Sequence, residues 1–131
     1  MAEGSFGTVI NCMDGRTQDA ANSFLRRRFA VDFVDSITEA GPIRNLAEGA
    51  PEATLAGIRA RLGVSIEGHG SRQVAVVAHE DCAGNPVGKE IQMVQLDRSL
   101  RLVREWFPGV DAIGLWIEPR DGVWTAEEEV V

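Results

Sequence analysis

The sequence has no tyrosine, only two cysteines and two histidines, and aromatic residues make up just 6% of it. Two cysteines make a disulfide framework a weaker reading than metal binding or catalysis. They point instead to a reducing compartment, where thiols bind metal or do chemistry. No apolar run approaches the roughly 20 residues that a membrane-spanning helix needs. The start of the chain has neither the basic nor the apolar region of a secretory signal. Positive charge is also short. Lys and Arg number 13 against 20 Asp and Glu, a net charge of -7 with a pI near 4.8. That balance disfavours nonspecific binding to nucleic acid. No internal repeat or low-complexity tract is visible. The expectation is a cytoplasmic protein of one domain, 1–131, long enough at 131 residues and 44% hydrophobic to bury a core.

What is present is concentrated in two short stretches, Cys12-Met13-Asp14-Gly15-Arg16 and His79-Glu80-Asp81-Cys82. Each follows a run of β-branched and small apolar residues. Thr8-Val9-Ile10-Asn11 and Gln73-Val74-Ala75-Val76-Val77-Ala78 read as strands covered on both faces. Both motifs then lie at the carboxyl ends of strands, the edge where open α/β sheets bind ligands. Two thiolates and one imidazole supply three of the four ligands of a tetrahedral zinc site and leave one position open. The strands must be neighbours if Cys12, His79 and Cys82 share an ion. Their thiolates cancel the charge of Zn2+, so water there is acidified less than at a three-histidine site. Asp14, two residues past Cys12, is the candidate acceptor of a hydrogen bond from that water. Arg16 can hold the carboxylate with two parallel hydrogen bonds and keep it ionised.

Other readings of these residues are open. Cys12 and Cys82 could be buried apolar side chains, a disulfide or a redox pair. Asp14 could itself close a structural zinc site. A thiol phosphatase is excluded, because Gln18 stands where the arginine six residues after Cys12 would be.

The rest of the chain frames the motifs. Met1 to Gly7 reads as a frayed start. Ala20, Ala21, Phe24, Leu25 and Arg28 recur at helical spacing over Thr17 to Arg28. Arg26-Arg27-Arg28 fits a solvated helix C-terminus. Val31 to Thr38 is a second strand, ended by Ala40-Gly41-Pro42. Pro51 suits a first helical position, and Leu55, Ile58 and Leu62 stripe a helix stopped by Gly63. Gly63 to Arg72 reads as a long loop, in which His69 is either a proton shuttle or an exposed loop histidine. Met93, Leu96, Leu100, Val103 and Phe107 form the seam of the longest helix, a core or subunit-interface stripe. Asp111 to Glu118 is a strand. Asp121-Gly122 marks a hairpin to a short edge strand at Val123-Trp124, and Glu127 to Glu129 reads as a solvated tail. The alternation of strands and helices predicts an α/β fold with a mostly parallel sheet and helices on both faces.

Cys-x-Asp-x-Arg followed by His-x-x-Cys resembles the zinc signature of the β-class carbonic anhydrases. Phe33 to Gly41, with its Ala40-Gly41 turn, and Val110 to Trp124 resemble further strands of that family. The resemblance covers most of the chain from Thr8 onward. It implies the sheet order 2-1-3-4 plus an antiparallel edge strand. It implies zinc on Cys12, His79 and Cys82, and a pocket near Ala40, Gly41 and Gly84. Asp14 and Arg16 would serve as the catalytic dyad that orients a zinc-bound hydroxide, with Asp14 also able to take the fourth zinc position. The activity implied is reversible hydration of carbon dioxide to bicarbonate, by a homodimer or higher oligomer. A hydrolase of carbonyl sulfide and a non-catalytic zinc protein of the same fold are the neighbouring readings. The sequence departs from the family in four places. The N-terminal helical arm has no counterpart before Cys12. Pro42 replaces an asparagine that often follows Ala-Gly. Gly84 comes one position late. No tyrosine is available for the pocket.

Overall fold

The computed structural model describes residues 3–131. In chain order the elements are β1 (Phe6–Cys12), α1 (Gln18–Phe29), β2 (Phe33–Glu39), α2 (Pro42–Glu48) and α3 (Glu52–Gly63). A π-helical turn (Val64–Gly68) follows, then β3 (Gln73–His79), α4 (Lys89–Trp106), β4 (Asp111–Arg120) and β5 (Val123–Glu129). The strands form one sheet in the order β2-β1-β3-β4-β5. β1, β2, β3 and β4 pair in parallel, and β5 runs antiparallel to β4. The α/β architecture and the expected strand order are both present.

β1 and β3 are central strands, and their side chains alternate between two apolar layers. Ile10, Val74, Val76 and Ala78 face α2, α3 and α4, where they meet Leu46, Ile58, Leu62, Leu96 and Leu100. Val9, Ala75 and Val77 face α1 and pack with Ala21 and Leu25. This two-sided burial is why β3 is an unbroken run of Val and Ala and why consecutive Val9 and Ile10 are both buried in β1. The seam of α4 is therefore core: Leu96, Leu100 and Val103 are buried against the sheet.

Several local expectations need correction. β1 begins at Phe6, two residues before Thr8. Ser5 is not frayed, because its backbone N–H donates to Asp32 Oδ2 at 2.9 Å and its carbonyl accepts from Phe33 at 3.0 Å. Met1 and Ala2 lie outside the described residues. β2 starts at Phe33, after Val31 and Asp32. Pro51 caps α3 rather than occupying its first turn. Gly63 does not stop that helix, since its backbone is helical (φ -59, ψ -39) and the chain continues to Gly68. Polar anchoring of the extra turn outweighs the glycine signal. Ser65 is buried there, bonded to Thr8 Oγ1 and Asp35 Oδ2, both at 2.6 Å. The loop shrinks accordingly. β5 extends to Glu129, so Glu127 to Glu129 form a paired edge strand rather than a tail. Cations make that acidic strand tolerable: Arg120 pairs with Glu127, Arg28 with Glu128 and Lys89 with Glu129.

Gly114 on β4 faces α4 at close range. A Cβ there would lie 2.8 Å from Leu96 Cδ2 and 3.1 Å from Leu96 Cγ. Gly114→Ala should therefore destabilise the fold by about 1–3 kcal/mol through overpacking. Gly57 in α3 is open, its nearest neighbour being the tip of Arg61 at 3.7 Å. Gly57→Ala should stabilise by about 0.5–1 kcal/mol. Urea midpoints of the two variants should move in opposite directions; a wild-type midpoint for Gly114→Ala would contradict the seating of α4.

Candidate metal centre

β1 and β3 are adjacent, with Ile10 opposite Val76. Cys12 and His79 end these strands at the same edge of the sheet, and the turn after His79 brings Cys82 back beside them. The ligand atoms of Cys12, His79 and Cys82 all lie within 4.8 Å of one another, and the three residues are 4%, 1% and 5% exposed. The two sulfurs are 3.9 Å apart and both cysteines are free. A disulfide would bring the sulfurs to about 2 Å. Two thiolates on one tetrahedral Zn2+ stand about 3.8 Å apart. The observed spacing fits a shared ion.

The imidazole of His79 is set for the same task. Its Nδ1 lies 2.7 Å from the Glu80 carbonyl, which only accepts, so Nδ1 carries the proton. The other ring nitrogen, Nε2, is buried without a hydrogen-bond partner among the described residues. A ring nitrogen without a partner among the described residues, beside two thiols, fits a ligand turned toward a metal position, and the Nδ1 bond holds its orientation. Gln92 of α4 fixes the backbone that carries this ring. It accepts from His79 N–H at 3.2 Å and donates to His79 C=O at 2.8 Å, fully buried.

Charge is shared unequally between the thiols. Burial raises the Cys12 thiol, but the His79 imidazole beside it and the backbone N–H groups of Asp14 and Gly41 outweigh that and bring it to about 7. Burial pushes the Cys82 thiol up, and the negative charge of Cys12 pushes it further, to about 11. Among the metal-free thiols, then, Cys12 ionises first and Cys82 keeps its proton.

Asp14 and Arg16 stand next to this cluster. Arg16 Nε donates to Asp14 Oδ1 at 3.0 Å and Nη2 to Asp14 Oδ2 at 2.7 Å, the two-pronged pair expected of the spacing. These bonds hold the Asp14 carboxyl down at about 2 despite partial burial. The backbone of Asp14 is pinned as well, since Thr17 Oγ1 and Gln18 Nε2 both donate to its carbonyl, at 2.8 and 2.9 Å.

The other candidate residues sort differently. Ala40, Gly41 and Gly84 pack backbone to backbone. A Cβ on Gly84 would sit 2.6 Å from Ala40 C, and one on Gly41 would sit 2.8 Å from Asn85 Cβ. Ala40 and Gly84 also border a surface cavity of about 490 Å³ that holds Arg44 and Asn45 but none of the three ligands. His69 is remote from the ligands. Its ring stacks on Phe6 with centroids 4.2 Å apart, and Nδ1 donates to Asp35 Oδ2 at 2.6 Å. Three contributors were missed in the sequence. Gln18 and Gln92 carry no local mark. Asp81 was in plain view inside the second motif, but only the fold brings it to Arg16, at 3.2 Å.

A family model described as "Putative carbonic anhydrase" matches residues 2–127. Among solved structures, the chain is similar to β-carbonic anhydrase isoform I from the protozoan Trichomonas vaginalis. The two are 20% identical, with a TM-score of 0.58 over 96% of this chain and 85% of that one. No curated protein matches the chain. At that identity the structural likeness concerns the fold.

The unequal thiols have a measurable consequence. At pH 8, Zn2+ has to displace the proton that Cys82 retains, so loading should release about one proton or more per ion. Calorimetry in two buffers of different ionisation enthalpy reads that number. Native mass spectrometry should show one ion per chain, and Cys82→Ser should abolish it. Loading without proton release would contradict the assignment of the thiols.

Proposed function

We propose, from the premise that this chain belongs to the carbonic anhydrase family whose model it matches, that it catalyses the reversible hydration of carbon dioxide to bicarbonate. The observation that carries this reading is the convergence of one orphaned imidazole nitrogen and two thiols beside a carboxylate that an arginine keeps ionised. In this reading Cys12, His79 and Cys82 would hold Zn2+, which would acidify water and make it nucleophilic, though less strongly than a three-histidine site because the thiolates cancel its charge. Asp14 accepts a hydrogen bond from the reacting water and so directs its lone pair at the substrate carbon. Arg16 holds Asp14 in that posture and keeps it from turning toward the metal. Burial of the ligands keeps bulk water from competing for them. We include assembly as a homodimer or higher oligomer. Met13 beside the site is 66% exposed and Phe33 on edge strand β2 is 52% exposed, apolar surface that a second copy would cover.

Stopped-flow hydration of carbon dioxide by the zinc-loaded chain tests the reaction directly; carbonyl sulfide run in parallel separates the two substrates. Asp14→Ala should lower the rate by about 100-fold while zinc content stays whole. Loss of zinc in that variant, with no activity in the parent, would replace the catalytic reading with a structural metal site. Light scattering at micromolar concentration reads the assembly.

The pH dependence follows from the Asp14–Arg16 pair. Arg16 depresses the folded-state carboxyl to about 2, against about 3.9 in an unfolded chain. The stabilisation it confers is therefore full above pH ~4 and lost as pH falls from ~4 toward ~2. Acid unfolding of the metal-free chain should shift to higher pH in Arg16→Ala. For the same reason Asp14 should add no limb to the hydration profile between pH 6 and 9; an acidic limb abolished by Asp14→Asn would contradict its ionised role.

A further inference from the structure

Arg16 is held from two sides. Asp14 takes one edge of the guanidinium. On the other side, Nη1 donates to Asp81 Oδ2 at 3.2 Å and Nη2 to the Asp81 backbone carbonyl at 3.0 Å. The face of the same group stacks on Trp124, 4.5 Å from guanidinium carbon to ring centroid. The partners are unequal. Among the described residues every hydrogen bond to the Asp14 carboxylate comes from Arg16, whereas Arg16 keeps three contacts that do not involve Asp14. Asp81 has a left-handed backbone, φ +57, a conformation that Asp and Asn tolerate and most residues do not. Trp124 reaches the site from the antiparallel edge strand, where it pairs with Pro119.

We infer that Asp81 and Trp124 are positioning residues: together they clamp Arg16 independently of Asp14, so that Arg16 is the fixed member of the dyad. The clamp joins the second motif and the terminal hairpin to the first motif. It acts on the reaction through Arg16 and Asp14 and touches no substrate. It rests on the proposed hydration chemistry for its consequence in turnover, but its geometry is testable without turnover.

Asp81→Asn keeps the left-handed backbone and the carbonyl while removing the charge, and at an 80% exposed side chain it leaves the core alone. Trp124→Ala removes the stacked face and Trp124→Phe restores a ring. The full-length, metal-free chain is labelled with 15N, and the Arg16 Nη–H signals, whose protons reach Asp81, are followed. Asp81→Asn and Trp124→Ala should each speed exchange of those protons about 2–5-fold, the scale of one exposed ion pair or one cation–π contact. Trp124→Ala should also remove the ring-current shift, which Trp124→Phe returns. In the zinc-loaded chain kcat should fall by a similar factor with KM unchanged, and zinc content should not move. An Arg16 signal that Asp81→Asn and Trp124→Ala leave unaltered overturns the clamp whatever the activity. A responsive signal in a chain that hydrates no carbon dioxide upholds the clamp and defeats the catalytic reading.

Discussion

Everything at the candidate centre depends on the parallel pairing of β1 with β3. Because the strands run the same way and in register, with Thr8 opposite Val74, their carboxyl ends reach the same edge together. That shared edge puts a cysteine and a histidine, far apart in sequence, within bonding range of one ion. The apolar layers on both faces hold the pairing in register, since a slip of one residue would carry each layer to the wrong face. α1 on one side and α2, α3 and α4 on the other thus serve the site indirectly. They fix the strands, and the strands fix the ligands.

Burial then sets the chemistry of the three donors. A partnerless imidazole nitrogen and two thiols in a dry corner carry a desolvation cost that a cation removes. The same burial explains the division of charge: only one thiol can ionise easily while its neighbour is 3.9 Å away. Outside this corner the environment changes over a few ångströms. Asp14 is 17% exposed and Arg16 42% exposed, so their pairing is screened on one side and works by geometry more than by raw attraction. A buried donor set thus stands beside a more exposed, arginine-held carboxylate.

The sequence made the strands legible because their two-sided burial writes continuous apolar runs, and it made the ligands legible because Cys12, His79 and Cys82 are rare residues in a tight pattern. Asp14 and Arg16 were legible because their contact is local, two residues apart. What could not be read depends on long-range placement. Gln92 looks like any polar residue on α4 until its amide is seen bridging His79. Trp124 looked like an apolar residue of a short edge strand. The acidic run at Glu127 to Glu129 was misread because its compensating cations, Arg28, Lys89 and Arg120, come from three separate elements. Gly63 misled for a similar reason, the Ser65 anchor lying on β1 and β2.

The Ala-Gly turn also shapes how the loops at this sheet edge meet. Gly41 has φ +64 and its backbone meets that of Gly84. No side chain fits at either position, so the turn after β2 and the loop after β3 rest directly on each other. The Gly41 N–H in turn faces the Cys12 sulfur and helps to ionise it. One close backbone contact therefore links all three loops at the sheet edge: the loop bearing Cys82, the turn that steadies the charge on Cys12, and the end of β1 itself. A methyl group added at Gly84 would have to push against the carbonyl carbon of Ala40, which cannot rotate away as a side chain could. The glycines at this edge let the turn after β2 and the loop after β3 meet backbone to backbone beside the three donors.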